Sequence, residues 1–303
     1  MKTGVYIDGY NFYYGCLKGT PYKWLDLVRL FSNYILPASA PPGTVLHQSG
    51  IKLYTADIVH KAAKSTDSVK DQQAYHRALQ AASDQLTIIK GYYSVKTTTA
   101  YCVDKTKPKQ EPKHCNRVSV WKLEEKQSDV NLAIESLYDA MTIPDLEQVV
   151  IVTNDTDLVP ALKKIKALGH IKIGLVIPIK KGIRAPNTSL TQYADWVRNH
   201  IFEEELRMAQ LPRVVSTSGR KNAVKPESWF GQPKIVEQIM QTLLVVHHGK
   251  RNKCWHWLET QKPQVPNLPV LSDLPINLLD NEQSATDVLQ HARAYADFKG
   301  RLG

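Results

Sequence analysis

At 303 residues and 43% hydrophobic content the chain can bury at least one substantial core, which excludes an intrinsically disordered protein. Its 39 Lys and Arg against 29 Asp and Glu leave a formal charge of +10 and a pI near 9.3, a balance that favours a polyanionic partner over an acidic metabolic enzyme. Four cysteines at 16, 102, 115 and 254 are too scattered for a disulfide framework; Asp8 interrupts the N-terminal apolar run, and no stretch approaches membrane-spanning length, so a cytoplasmic protein without a membrane partner is expected.

In chain order, short apolar runs at 3–8 (TGVYID), 51–55 (IKLYT), 86–93 (LTIIKGYY), 148–153 (QVVIVT) and 172–177 (KIGLVI) are predicted strands. Helices are predicted near 23–34, 69–83, 128–141 and 158–168, the third marked most clearly by Val130, Ala133, Ile134, Leu137, Tyr138 and Met141 at helical spacing. Alternation of this kind implies an α/β fold of three layers, a mostly parallel sheet with helices on both faces and its site at the carboxyl ends of the strands. Residues 92–121 break the pattern and suit an extended hairpin. Two stretches are basic: 90–117, with seven basic residues against two acidic, and 163–184, with seven and none. Either is also the composition of an ordinary solvated surface. Residues 212–226 have the Pro, Ser, Gly and basic content of a linker, and 227–303 that of a small, mostly helical region with helices at 234–246 and 282–298.

Three short motifs carry the chemistry. The first strand ends in Ile7-Asp8-Gly9-Tyr10-Asn11, where a turn delivers an acid and an amide to the strand's carboxyl end. Glu125-Lys126-Gln127-Ser128-Asp129-Val130 leads into the long helix, and Asp129 in a first turn equally suits helix capping. Thr153-Asn154-Asp155-Thr156-Asp157 follows the fourth strand. Two aspartates at i and i+2 crowd negative charge into one loop, which a hard divalent cation such as Mg²⁺ or Mn²⁺ would compensate. No G-x-G-x-x-G or Walker sequence follows the first strand, Tyr10 stands where an aspartyl-nucleophile phosphatase would need a second acid, and no C-x-x-C pair supports zinc at the scattered Cys and His residues.

These three blocks, in this order and spacing, resemble the signature blocks of bacterial NYN domains, a branch of the PIN-like nuclease fold. The resemblance runs over residues 1–211, includes the Gly174–Pro178 strand (GLVIP) and an Ala194-Asp195-Trp196 segment like the family's closing helix, and defines a 1–211 domain, a 212–226 basic linker and a 227–303 C-terminal region. It implies a ribonuclease, expected to cut endonucleolytically, in which Asp8, Asp129, Asp155 and Asp157 hold Mg²⁺ or Mn²⁺ and Asn11 is the neighbouring polar residue. RNA is the implied partner, bound by the basic stretches, with Tyr92, Tyr93 or Trp121 placed to stack on unpaired bases or simply to pack; a homo-oligomer is compatible. Asn154 departs from the family, which often has Gly there. The competing reading is an RNA-binding or scaffold protein of the same fold with an idle pocket, for which four gathered aspartates would have no use. The C-terminal region is expected to set substrate choice or assembly.

Overall fold

The computed structural model describes residues 1–300 except 62, 64–66, 104–105, 108, 184, 220 and 261–269. β1 (Lys2–Asp8) is buried from its second residue onward, as a central strand covered on both faces must be. It runs directly into α1 (Gly9–Phe12), which widens into a π turn over Tyr13–Leu17. The predicted helix at 23–34 begins later, because Asp26 caps α2 (Leu27–Leu30) by accepting the Arg29 amide at 2.9 Å; a π turn over Phe31–Ile35 then joins it to α3 (Leu36–Ser39). β2 (Val45–Ala56), α4 (Ser68–Ala82) and β3 (Leu86–Tyr101) follow, and β3 turns back as β4 (Arg117–Lys126). After them come α5 (Ser128–Thr142), β5 (Gln148–Val152), α6 (Val159–Ala167), β6 (Lys172–Val176), α7 (Thr188–Thr191), β7 (Trp196–Arg198) and α8 (Glu203–Met208).

The strands form one sheet in the order β4-β3-β2-β1-β5-β6-β7, parallel throughout except for β4, which runs against β3. Chain order reverses between β1 and β5 at the centre, and Ile7 stands beside Val152, so their carboxyl ends open together at a topological switch point. The α/β PIN-like layering is thus present, and within 92–121 the described residues 92–101 and 117–121 belong to an antiparallel hairpin arm. The 194–196 segment is not a helix: α7 stops at Thr191 and the chain enters edge strand β7. The Trp196 indole donates to Gln148 Oε1 at 2.9 Å and fills space over Gly174, where a Cβ would lie 2.2 Å from the ring.

The apolar stripe of α5 is divided. Ala133 and Leu137 pack on the core formed by Tyr6, Leu132, Ile151 and Leu175, whereas Val130, Ile134, Tyr138 and Met141 are 58–63% exposed. Polar groups occupy part of the sheet-facing side instead. The Tyr6 hydroxyl donates to Asp139 at 2.8 Å, Lys52 reaches Asp139 at 2.7 Å and Glu135 at 3.1 Å, and the Tyr54 hydroxyl donates to Glu135 at 3.2 Å. Burial opposes the Lys52 ammonium, yet the two carboxylates raise its pKa above the ordinary lysine value. The network satisfies buried polar atoms on both elements.

The chain divides into two units, Met1–Cys16 with Leu25–Val224, and Leu17–Trp24 with Lys225–Gly303. The first ends in the short antiparallel pair β8 (Val214–Val215) and β9 (Ala223–Val224), within the stretch whose composition suggests a linker. The second is helical. Val236, Ile239, Met240 and Leu243 of α9 (Pro233–Val246) share one face and pack with Cys254, Trp257 and Leu258 of α10 (Arg251–Leu258) and Val288 and Ala292 of α11 (Glu282–Gly300). Trp24, fully buried, meets Trp229 edge-on at 6.1 Å between ring centroids.

Candidate active site

Asp8 ends β1 with only 2% of its surface exposed. Its carboxylate accepts from the Asn11 amide at 2.9 Å, from Asn11 Nδ2 at 2.7 Å and from the Thr153 hydroxyl at 2.8 Å. Asn11 therefore positions the acid, and Thr153, wholly buried at the end of β5, joins the two central strands. Burial pushes the Asp8 pKa above the usual aspartate value despite these three bonds, and the field of Asp155 adds to the rise.

The strand-end loop continues the construction. Thr153 Oγ1 accepts from the Asp155 amide at 3.1 Å, and Asp155 caps the turn Thr156–Leu158 by accepting from the Asp157 amide at 3.0 Å. Asn154 is 5% exposed and accepts from the Asn187 amide at 3.1 Å, tying down the loop after β6. Its buried Nδ2 has no acceptor among the described residues.

Asp129, the second residue of α5, sits in the same electrostatic field. Burial first, and then the charges of Asp8, Asp155, Glu125 and Asp157, push its pKa up to about 6. The charges of the other three predicted aspartates are therefore all felt at Asp129. A fifth acid, Glu125 of β4, belongs with them: burial raises its pKa, Asp8 raises it further, and the Ser128 hydroxyl donates to it. Glu125 stood in the second motif, but the strand geometry that aims it at Asp8 is invisible to spacing. The turn from β4 to α5 depends on Gln127 in a left-handed conformation (φ 76°) and on Gly91, where a Cβ would lie 2.2 Å from the Lys126 carbonyl oxygen.

Whether these residues fit a divalent metal is a matter of donor chemistry and of placement. The donors are carboxylate oxygens, which hard ions prefer, and their mutual repulsion is what a cation would relieve. As placed, no three Asp, Glu, His or Cys side chains among the described residues converge on one point. An ion would thus be held by acids that share a field but still have to draw together, Asp129 and Asp157 being the exposed ones among them.

The raised Asp129 value predicts a pH effect in chelator-treated protein. A carboxylate whose folded pKa lies above its unfolded value destabilises the ionised fold, so the penalty is complete above about 6 and disappears as pH falls toward the unfolded value near 3.8. Native protein should therefore gain thermal stability relative to Asp129→Asn between about pH 7 and pH 5. Melting curves of the two proteins that keep a constant separation over that interval would remove Asp129 from the cluster's field.

The fold is nuclease-like, and the family comparison agrees with that fold. The NYN domain model matches residues 2–198, and the chain belongs to the NYN domain family. It is 42% identical over 304 residues, 97% of this chain and 95% of the relative, to 6-hydroxy-3-succinoylpyridine 3-monooxygenase HspA of Pseudomonas putida S16. Among solved structures it resembles a protein of unknown function, VPA0982 of Vibrio parahaemolyticus, with a TM-score of 0.39 and 16% identity over 67% of this chain and 94% of the other. No helix among the described residues is long and apolar enough to cross a membrane.

Proposed function

We propose that the protein is a metal-dependent ribonuclease that hydrolyses RNA phosphodiester bonds at the acids between β1 and β5. The observation behind this reading is the Thr153 hydroxyl bond to Asp8, which joins the ends of β1 and β5 beside Asp155, with Asp129 in the field of these acids. Asp8 and Asp155 would hold a Mg²⁺ or Mn²⁺ ion, with Asp129 and Asp157 beside them; when bound, the ion supplies charge stabilisation of the phosphate and acidifies water. Asn11 keeps the Asp8 carboxylate in one orientation. Asp129, beside the ion, would complete its shell or orient the attacking water. Asn154 Nδ2 offers a neutral hydrogen bond to a phosphate oxygen. RNA as the substrate rests on family membership and on the net charge of +10.

A second reading has its own observation. The relative that matches along nearly its whole length carries the name of a monooxygenase acting on a hydroxylated pyridine, a reaction that consumes O₂ and two electrons from a reductant. The all-carboxylate donor set favours hydrolysis, since redox iron sites commonly add histidine. Both readings are tested on one preparation. Purified protein, stripped with chelator and then given Mg²⁺ or Mn²⁺, is incubated with mixed single-stranded and structured RNAs; in parallel it receives 6-hydroxy-3-succinoylpyridine, O₂ and a two-electron donor. Cleavage that disappears on chelation and returns with metal is expected. Undiminished cleavage after exhaustive chelation would overturn the metal role, and O₂-linked consumption of the pyridine with intact RNA would replace the ribonuclease reading by the second.

A further inference from the structure

Several tyrosines border the acids without being needed to hold them. Tyr10, Tyr13 and Tyr14 follow Asp8 on α1 and its π turn, and Tyr93 of β3 stands opposite Glu125 of β4. The rings of Tyr10 and Tyr14 lie 4.6 Å apart between centroids, tilted by 39°, and those of Tyr13 and Tyr14 lie 5.2 Å apart edge to face. The hydroxyls of Tyr10 and Tyr14 are 3.5 Å apart, and Tyr10 also hydrogen-bonds Tyr93. Helix and strand are thus tied by their tyrosines, which fixes the rings before any ligand arrives. Even so, Tyr10, Tyr13 and Tyr14 remain 43%, 40% and 47% exposed, unlike the fully buried Tyr6 and Tyr54 of the sheet.

The same surface continues outward along the β3–β4 arm. Residues directly opposite in an antiparallel ladder share a face, so the Tyr93–Glu125, Thr97–Trp121 and Tyr101–Arg117 pairs stand on one side of it. Trp121 is 66% exposed and four strand residues from Glu125, roughly 14 Å at about 3.4 Å per residue. Tyr101, at the outer end, lies under the Arg117 guanidinium at 5.5 Å. Aromatic faces therefore lead from the acids to a cationic tip. Large exposed rings in such a row are costly unless something planar covers them.

We propose that the Tyr10–Tyr14–Tyr93 cluster and Trp121 form a stacking platform for the bases of an unpaired RNA strand, so that the site selects single-stranded substrate. The proposal rests on the ribonuclease reading and adds its substrate class. Bases in a duplex already stack on one another and turn no free face to a protein ring, whereas an unpaired strand offers one at every nucleotide. Stacking tolerates any base, so preference for strandedness without strong preference for sequence follows. Arg117 at the tip would meet a backbone phosphate and give the binding its salt dependence.

Fluorescence anisotropy with a labelled single-stranded 20-mer and a hairpin duplex of the same sequence tests it, using Asp155→Asn protein in Mg²⁺ to prevent cleavage. Adding Tyr14→Leu or Trp121→Leu should weaken single-strand binding about tenfold each and leave duplex binding nearly unchanged, while Tyr14→Phe and Trp121→Phe, which keep a ring, should restore most of the loss. Both residues are exposed, and unchanged melting would confirm that the leucine variants fold. Single-strand binding unaltered by the leucine variants, or equal loss on both RNAs, would overturn the platform while native protein still cuts RNA. Failure of native protein to cut or bind either RNA would instead overturn the ribonuclease reading, and this proposal with it.

Discussion

Asp155→Asn is expected to lower metal-dependent RNA cleavage by at least about a hundredfold while the protein stays folded, the scale seen when one preorganised charge is removed from a site of this kind. The fold should survive because asparagine is itself a good helix cap, and its side-chain oxygen can keep the bond from the Asp157 amide that Asp155 accepts at 3.0 Å. The carboxylate's charge is what is lost, and with it one hard donor and part of the field that raises Asp8 and Asp129. Single-turnover cleavage at saturating Mg²⁺, set beside a melting curve, separates the two effects. Near-native turnover would remove Asp155 from the catalytic set. The contrast with Asp8 is instructive, because Asp8→Asn would disturb three hydrogen bonds at a buried strand end and would confuse folding with chemistry.

Ending the chain at residue 224 should cost far more stability than removal of an independent appendage. All five acids lie in the first unit, but the second includes Leu17–Trp24 together with Lys225–Gly303. Truncation takes away Trp229 and the helices of the second core and leaves fully buried Trp24 without its ring partner. Loss of packing around a tryptophan costs about 3–5 kcal/mol in proteins, and each 1 kcal/mol corresponds to roughly 2–4 °C in a chain of this size, so a fall of about 6–20 °C is expected. The stranded segment continues the tyrosine turn that begins two residues after Asn11, so loosening there should slow cleavage as well. Calorimetry of the full chain and of residues 1–224 decides this. An unchanged melting temperature would show that 17–24 holds its place without the C-terminal helices.

The sequence by itself carried the parallel core and the acids. Short β-branched apolar runs such as Val149–Val152 read as strands buried on both faces, and an aspartate at or just after the end of such a run emerges at the strand's carboxyl end, so Asp8 and the Thr153–Asp157 loop were legible from local pattern alone. The 92–121 hairpin was legible because the strand–helix alternation breaks there. What needed the tertiary structure was everything set by pairing across the chain. The order of the strands brings β1 beside β5, and only then does Thr153 meet Asp8 from 145 residues away. The aim of Glu125 depends on the register of β4 against β3, and the exposure of Ile134 and Tyr138 on the fact that Asp139 and Glu135 turn toward Lys52 and the sheet tyrosines. Helical spacing shows that an apolar stripe exists; which side of it is covered depends on partners elsewhere in the chain. The 194–196 segment leads into edge strand β7 at Trp196, whose ring takes the space Gly174 leaves, and Leu17–Trp24 joined the C-terminal helices, where Trp24 finds its aromatic partner. In each case the deciding interaction joins residues too far apart in the chain for local periodicity to register them, and it exists only once the sheet and the helical core have formed.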